Sequence, residues 1–470
     1  MIIYIVKAGD TLSKIASSYR IPISEIIKTN ELPNPNELAI GQALVIPSEG
    51  VFHTVKAGEY LWKIAQQYGT TIQIILDYNQ ITNPEMIYPG LVIYIPDSIN
   101  HRIQTGETLW QIAQKYGVTL QNLIKANNIT NPNLVYPGTI LIIPHKPKPP
   151  LSVNGYIYFY GENGVSIVQK DGEYLTYLSP FAYLIKEDGS LESIYDVPLI
   201  QAAIAQGVTP MMSITNFTAT TKGENLAHVV LSSPQIVERL LTDIINIMKE
   251  KGYMGLNVDF ENVLPVDREA YNNFLELAVT RLHAEGFFVS TAVAPKTTGE
   301  QRGLLYEAHD YEAHGRIVDF VILMTYEWGW RKGPPQAISP LNQIKRVLDY
   351  AITVIPREKI YFGFQIYARD WLLPHLQGQE AETFSVQEAV LRAVRNGADI
   401  QYDSLTQSPF YRYTDEQGRD HEVWFEDARS AQAKFDTVKD YNLAGISYWA
   451  LGYPFPQNWA LLQDNFHIQK

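Results

Sequence analysis

The sequence predicts a mixed α/β chain: three small β-α-α-β units followed by a (β/α)8 barrel. Three observations predict it. A set of Gly, Asn and Pro residues recurs at intervals of 48 or 49 positions through the first 144 residues. A proline-dense stretch follows. Beyond it, eight apolar strand-like runs alternate with helical patterns.

The repeats carry the first prediction. Gly9, Gly58 and Gly106 hold one register, as do Asn30, Asn79 and Asn127, and Pro47, Pro96 and Pro144. A short strand opens each copy, at Tyr4-Ile5-Val6, His53-Thr54-Val55 and Arg102-Ile103-Gln104. A Gly-acid turn follows, where Asp10, Glu59 or Glu107 and the next residue are placed to cap a helix. That helix shows apolar residues at helical spacing: Leu12, Ile15, Ala16 and Tyr19, then Leu61, Ile64, Ala65 and Tyr68, then Leu109, Ile112, Ala113 and Tyr116. A second helix ends near the shared Asn, an Asn-Pro loop follows, and a closing strand runs to the shared Pro. The copies span 2–48, 51–97 and 100–145, each small enough to be marginal alone. Residues 146–150 are prolines and lysines, a linker that favours extended polyproline II.

The remainder, 151–470, carries the second prediction. Strand candidates are 153–159, 176–184, 208–214, 255–260, 287–293, 318–325, 360–367 and 444–450. Helical stretches lie around 197–206, 233–250, 267–285, 301–314, 339–354, 386–396, 428–440 and 456–465. A doubly wound open sheet is the rival. No Gly-rich phosphate loop follows any strand, which favours the barrel. The stretch between strands seven and eight is long but reads as too short for the largest insertions such barrels carry, so a shallower cleft is expected.

Composition narrows the function. Of the 470 residues, 46% are hydrophobic and 19% charged, which marks core-forming material rather than disorder. The first 150 residues carry 11 basic and 10 acidic residues, the rest 26 and 40. An acidic barrel lacks the basic footprint that nucleic acid requires. With no cysteine, disulfides, thiol nucleophiles and Cys-ligated metal centres are excluded. No apolar run reaches about 18 residues, so no transmembrane helix is expected. The N-terminus has neither a basic region nor a cleavage motif, so no signal peptide is expected. The 30 Tyr and 8 Trp suit stacking on sugar faces, although Tyr-rich cores are common too.

Barrel chemistry sits at the C-terminal ends of strands. There the fourth strand stands out: Asn257, Asp259 and Glu261 alternate with Leu256, Val258 and Phe260. Side chains two apart share a face, so the polar three point inward. Such a row is costly unless it opens into a site. Two close carboxylates shift each other's pKa, and one is then held protonated as a general acid. Glu261, nearest the mouth, is the better proton donor and Asp259 the electrostatic partner. The alternative is a buried network that only braces the barrel. The ten His show no zinc-binding helix, and His309 and His314 read as surface or structural.

Two resemblances follow from these residues. The repeats, with openings Val6-Lys7-Ala8-Gly9-Asp10-Thr11-Leu12 and Gln104-Thr105-Gly106-Glu107-Thr108-Leu109, resemble LysM modules. That implies binding to N-acetylglucosamine polymers, peptidoglycan or chitin, rather than a spacer role. The fourth strand resembles the signature of glycoside hydrolase family 18, a chain of three aspartates and a glutamate. Asn257 and Met254 stand where that family usually has two of the aspartates. Met324-Thr325-Tyr326-Glu327 is similar to the family's Met-x-Tyr-Asp, and Trp449 stands where the family places the floor of the −1 sugar site. Ser213-Ile214-Thr215-Asn216 replaces its Ser-x-Gly-Gly. Gln365 and Tyr367 on strand seven also fit.

The resemblance implies substrate-assisted, retaining hydrolysis. Glu261 acts as acid and base, Asp259 and Tyr326 orient the substrate acetamide, and Asn257, Trp449, Glu327, Gln365 and Tyr367 bind substrate. No metal or cofactor is implied. LysM modules ahead of such a barrel resemble the spore cortex-fragment-lytic N-acetylglucosaminidases of endospore-forming bacteria, which implies a spore-coat or cell-wall location. The alternatives are a chitinase and a non-catalytic glycan-binding coat protein.

Overall fold

A computed structural model of the chain describes residues 1–470 except 20, 48–49, 57, 69–71, 80, 82, 86, 97–98, 117, 119, 133, 144–147 and 218. Residues 146–147 of the expected linker, and the shared Pro144, lie outside the described residues. The chain divides into two compact units, residues 1–38 with 44–148, and residues 39–43 with 149–470.

Each module pairs two strands and packs two helices on them. The strands are Ile2–Ile5 with Ala43–Ile46, Gly50–Thr54 with Val92–Pro96, and Ile99–Arg102 with Ile140–Ile143. The first helices are Leu12–Tyr19, Leu61–Tyr68 and Leu109–Tyr116. Their apolar spacing puts Leu12, Ile15 and Ala16, and the equivalent residues of the other copies, into one small core per module. The opening strands begin two or three residues before the expected positions, because pairing with the closing strand fixes their start.

The recurring Asn is the bolt of each module. Asn30 donates to the Ile26 and Val45 carbonyls and accepts from Val45 N–H, all at 2.8 Å. Asn79 and Asn127 repeat the pattern with Ile75 and Tyr94, and with Leu123 and Ile142. The side-chain amide donates through Nδ2 and accepts through Oδ1 at once, so it ties the helix end to the closing strand.

The acidic residue of each opening turn differs from expectation. Asp10, Glu59 and Glu107 accept from the backbone N–H three residues earlier, at Lys7, Lys56 and Gln104. Their partners on the opening strand are Tyr4, His53 and His101. They close the turn; the helix cap falls to Thr11 and Thr108, whose hydroxyls accept from Lys14 and Gln111 N–H.

The larger unit is a closed barrel. Its strands are β1 (Pro150–Ile157), β2 (Tyr177–Pro180), β3 (Thr209–Thr215), β4 (Gly255–Asp259), β5 (Phe288–Val293), β6 (Phe320–Leu323), β7 (Ile360–Gln365) and β8 (Gly445–Trp449). Every neighbouring pair is parallel, and β8 returns to β1. The open-sheet rival is therefore wrong. Pro150, assigned to the linker, opens β1. Helices α1 (Gly161–Asp171), α2 (Val197–Ile204), α3 (Pro234–Lys251), α4 (Arg268–Ala284), α5 (Tyr311–Ile317), α6 (Leu341–Val354), α7 (Ala428–Tyr441) and α8 (Pro456–Asn465) surround it.

Several elements depart from the sequence reading. Helix α1 was not anticipated, because Gly, Glu and Asn dilute its apolar stripe. Helix α5 starts at Tyr311 rather than near 301, where Asp310 accepts from Ala313 N–H and caps it. The largest correction lies between β7 and β8. That stretch holds a folded insert with an antiparallel sheet of Glu382–Ser385, Tyr367–Leu373, Asp420–Trp424, Ser408–Thr414 and Gln401–Asp403, in that order. The helix expected near 386–396, Val386–Arg395, belongs to this insert. Its buried Asp370 is held by Arg392, Tyr413 and His421 at 2.7–2.8 Å. Tyr367, expected at the end of strand seven, leaves the barrel for the insert.

Gly363 on β7 shows how tightly the barrel closes: a Cβ there would lie 2.2 Å from the Leu323 carbonyl oxygen and 3.0 Å from the Tyr326 ring. Two substitutions address the two units separately. Asn30→Ala strands buried polar groups and is expected to destabilise the first module by about 2–3 kcal/mol. Gly363→Ala is expected to destabilise the barrel by about 1–3 kcal/mol through overpacking. Calorimetry of the full chain checks both: Asn30→Ala should lower a module transition and leave the barrel transition in place, and Gly363→Ala the reverse.

Candidate active site

Strand β4 builds the site as its alternation requires. Leu256, Val258 and Phe260 face the helices, and Phe260 stacks between Tyr271 and Phe274 of α4 with ring centroids 5.4 and 5.5 Å away. Asn257 and Asp259 face inward and are buried. The strand ends at Asp259, and Glu261 lies just beyond it at the mouth, partly exposed. Met254 precedes the strand at the opposite end and is half exposed, so its departure from the family pattern falls outside the site.

Asn257 is locked from two sides. Its Oδ1 accepts from the Tyr156 hydroxyl at 2.8 Å and its Nδ2 donates to Ser290 Oγ at 3.0 Å. It is fully buried, one layer beneath Asp259. Beside this layer, Ser213 and Thr215 of β3 sit in register with Asn257 and Asp259. Ser213 Oγ, Thr215 Oγ1 and Asp259 Oδ1 are buried without a hydrogen-bond partner among the described residues. Native interiors rarely leave such atoms unpaired, and a cluster of them marks a functional cavity.

Electrostatics follow from this burial. The Asp259 carboxyl is pushed well above the usual carboxylate range, first by burial and then by the charge of Glu261. Glu261 is pushed up by burial and then by the charge of Glu327. The Tyr326 hydroxyl is also pushed up, by burial and by the charges of Asp259, Glu261 and Glu327. These four groups therefore share one low-dielectric cluster. Tyr156, raised by burial and by Asp259, closes it below.

Glu327 is fixed by the insert. Arg369 donates to both of its oxygens at 2.7 and 2.8 Å, and also to the Gly329 carbonyl. The Tyr367 hydroxyl donates to Glu327 as well. Glu327 adopts φ 69°, a left-handed conformation that costs a non-glycine residue energy and needs such anchoring. Arg369 escaped the sequence reading because the insert was not recognised. Its signal was present: Tyr367, Arg369 and Trp371 alternate along one face of the strand.

Trp449 lies at the end of β8 in an aromatic wall, 4.7 Å from Phe181 and 5.6 Å from Tyr156 between ring centroids. Gln365 is in register with it on β7. Gln365 is fully buried and donates at 2.9 Å to Glu426, which pairs with Lys434 at 2.7 Å. Its Oε1 is buried without a hydrogen-bond partner among the described residues. His309 and His314 are buried, not on the surface. Burial lowers them to about 4 and about 3, so both are neutral near pH 7. Among the described residues no group of three or more acidic or His side chains is placed to hold a metal ion.

Comparison with known proteins agrees with this geometry. The family model "Glycosyl hydrolases family 18" matches residues 157–453, and the LysM domain matches residues 4–47, 53–96 and 101–144. The chain is 45% identical over 475 aligned residues to the "Cortical fragment-lytic enzyme" of Bacillus subtilis (strain 168), covering 100% of this chain and 99% of the relative. A second relative of that name, from Bacillus cereus, is 44% identical over 66% of this chain and 72% of its own. The crystal structure of the spore cortex-lytic enzyme SleL from Bacillus megaterium QM B1551 matches with TM-score 0.77 and 38% identity, covering 100% of this chain and 98% of that one. No helix among the described residues is long and apolar enough to cross a membrane. A closed parallel barrel, a carboxylate pair at the end of β4 and a full-length match place the chain in glycosyl hydrolases family 18, as a glycosidase preceded by three glycan-binding LysM domains.

Proposed function

We propose that the chain hydrolyses N-acetylglucosaminyl bonds in spore-cortex peptidoglycan, while its LysM domains hold it on the glycan. The observation that carries the reading is the placement of Glu261 at the mouth above buried Asp259 and beside Tyr326, with burial and Glu327 favouring its protonated form. The full-length likeness to enzymes named for cortical fragments selects peptidoglycan over chitin. The domain boundaries proposed are 2–48, 51–97, 100–145, a linker at 146–150, and 151–470. The association with spore or cell wall is assigned more finely to the spore coat.

The mechanism is substrate-assisted, an exception to the two-carboxylate scheme. Glu261 gives its proton to the glycosidic oxygen as the bond to the anomeric carbon breaks. The substrate's own acetamido oxygen attacks that carbon from the other face and forms an oxazolinium ion. The Tyr326 hydroxyl donates to the acetamido oxygen, and Asp259 accepts from the acetamido N–H, which occupies its unpaired Oδ1. Glu261, now a carboxylate, takes a proton from water, which opens the ring with retained configuration. Trp449 supplies the floor of the sugar site. Asn257 and Gln365 support it from beneath, and Tyr367 holds Glu327 at its rim.

Two measurements test this. Mass spectrometry of products from cortex fragments and, in parallel, chitin hexamer should show cortex fragments shortened with N-acetylglucosamine at the new reducing end. Glu261→Gln should abolish that cleavage. Cutting of chitin hexamer alone would make the chain a chitinase, and no cleavage of either would make it a binding protein. The pH profile tests the electrostatics. Glu327→Gln removes an anion near Glu261, which stabilises the ionised acid and lowers its pKa. The working acid then loses its proton at lower pH, so the alkaline limb of kcat/KM should move to lower pH.

A further inference from the structure

We propose that Asn216 is a positioning residue for the acid, its side-chain amide supplying the strand rung that β3 and β4 cease to form at the mouth. The β3–β4 ladder runs from Met211 opposite Gly255 to Thr215 opposite Asp259, and stops. Beyond it the chain leaves the strand, and Asn262 turns into the left-handed region at φ 54°. Glu261 would then have a loose backbone. Instead Asn216 Oδ1 accepts from Glu261 N–H at 2.8 Å, and Asn216 Nδ2 donates to the Glu261 carbonyl at 2.8 Å.

One planar amide therefore holds the peptide groups on both sides of Glu261. His309 holds the first of them from another direction. Ala294 N–H donates to its Nδ1 at 2.8 Å, so the proton sits on Nε2, which donates to the Phe260 carbonyl at 2.8 Å. Asn225 Nδ2 donates to the Asn262 carbonyl at 2.9 Å and fixes the turn that follows. Among the described residues no hydrogen bond holds the Glu261 carboxyl itself. Its aim is thus set by the backbone, and the backbone by Asn216.

The residue type matters. The Asn amide offers a donor and an acceptor side by side on one planar group, as the N–H and C=O of Glu261 require. Asp would keep the acceptor alone, and Gly, which the resembled Ser-x-Gly-Gly pattern places here, would keep neither. Asn216 is buried, so its bonds form in a medium where they hold geometry firmly.

This inference rests on Glu261 being the acid, so the experiment separates the two. Full-length Asn216→Ala, Asn216→Asp and Glu261→Gln are assayed on cortex fragments for kcat and KM, with thermal unfolding alongside. Misaiming the acid should cost Asn216→Ala on the order of 10²-fold in kcat. KM and the unfolding temperature should change little, and isosteric Asn216→Asp should fall between it and the wild type. Wild-type kcat in either Asn216 variant, with Glu261→Gln inactive, overturns the positioning role and leaves the acid in place. An active Glu261→Gln overturns both. A kcat loss that only tracks lost folding in both variants makes Asn216 structural and also overturns the proposal.

Discussion

Closure of eight parallel strands into a barrel constrains everything else in this molecule. A closed sheet has no edge, and its inward side chains are sealed from water except at the two ends. The polar row of β4 therefore has one exit, the mouth. Asp259 and Glu261 are raised because the barrel dehydrates them, and they are useful because the mouth lets substrate reach them. The same closure demands glycine at Gly363, where the Leu323 backbone leaves no room for a Cβ beneath Tyr326.

The fold was legible where periodicity was strong. Strand β4 could be read residue by residue, because alternation separates Leu256, Val258 and Phe260 from the polar three. The modules could be read because three copies share one register. The insert between β7 and β8 was not, since its strands are short and its helix, Val386–Arg395, resembles a barrel helix in isolation. Missing the insert also hid Arg369, whose partner Glu327 lies about forty positions earlier. Pairings at such separation leave no local pattern in one sequence. Likewise, Asn257 and Gln365 were recognised as inward, but the depth at which each sits depends on barrel geometry that spacing does not report.

The three modules show the same logic at smaller scale. Each is too small to rely on its core alone. The Asn that marks the repeat is the residue that joins helix to closing strand through three hydrogen bonds in every copy. Recurrence of this polar residue thus follows from the bonding role it has in each copy.

The departures from the family signature sort by depth. Met254 lies at the far end of β4 and bears on nothing at the mouth. Asn257 lies one layer down, where a neutral amide satisfied by Tyr156 and Ser290 needs no proton and adds no charge beneath Asp259. A carboxylate there would press a second anion against a residue already short of solvation. With the amide, the charge that bears on Asp259 comes from Glu261 above it, and the charge on Glu261 from Glu327 at the rim. Glu327 in turn is held in place by Arg369, which donates to both of its oxygens. The electrostatic stack therefore runs outward, from Asp259 through Glu261 to Glu327, toward the mouth where the glycosidic oxygen must receive its proton.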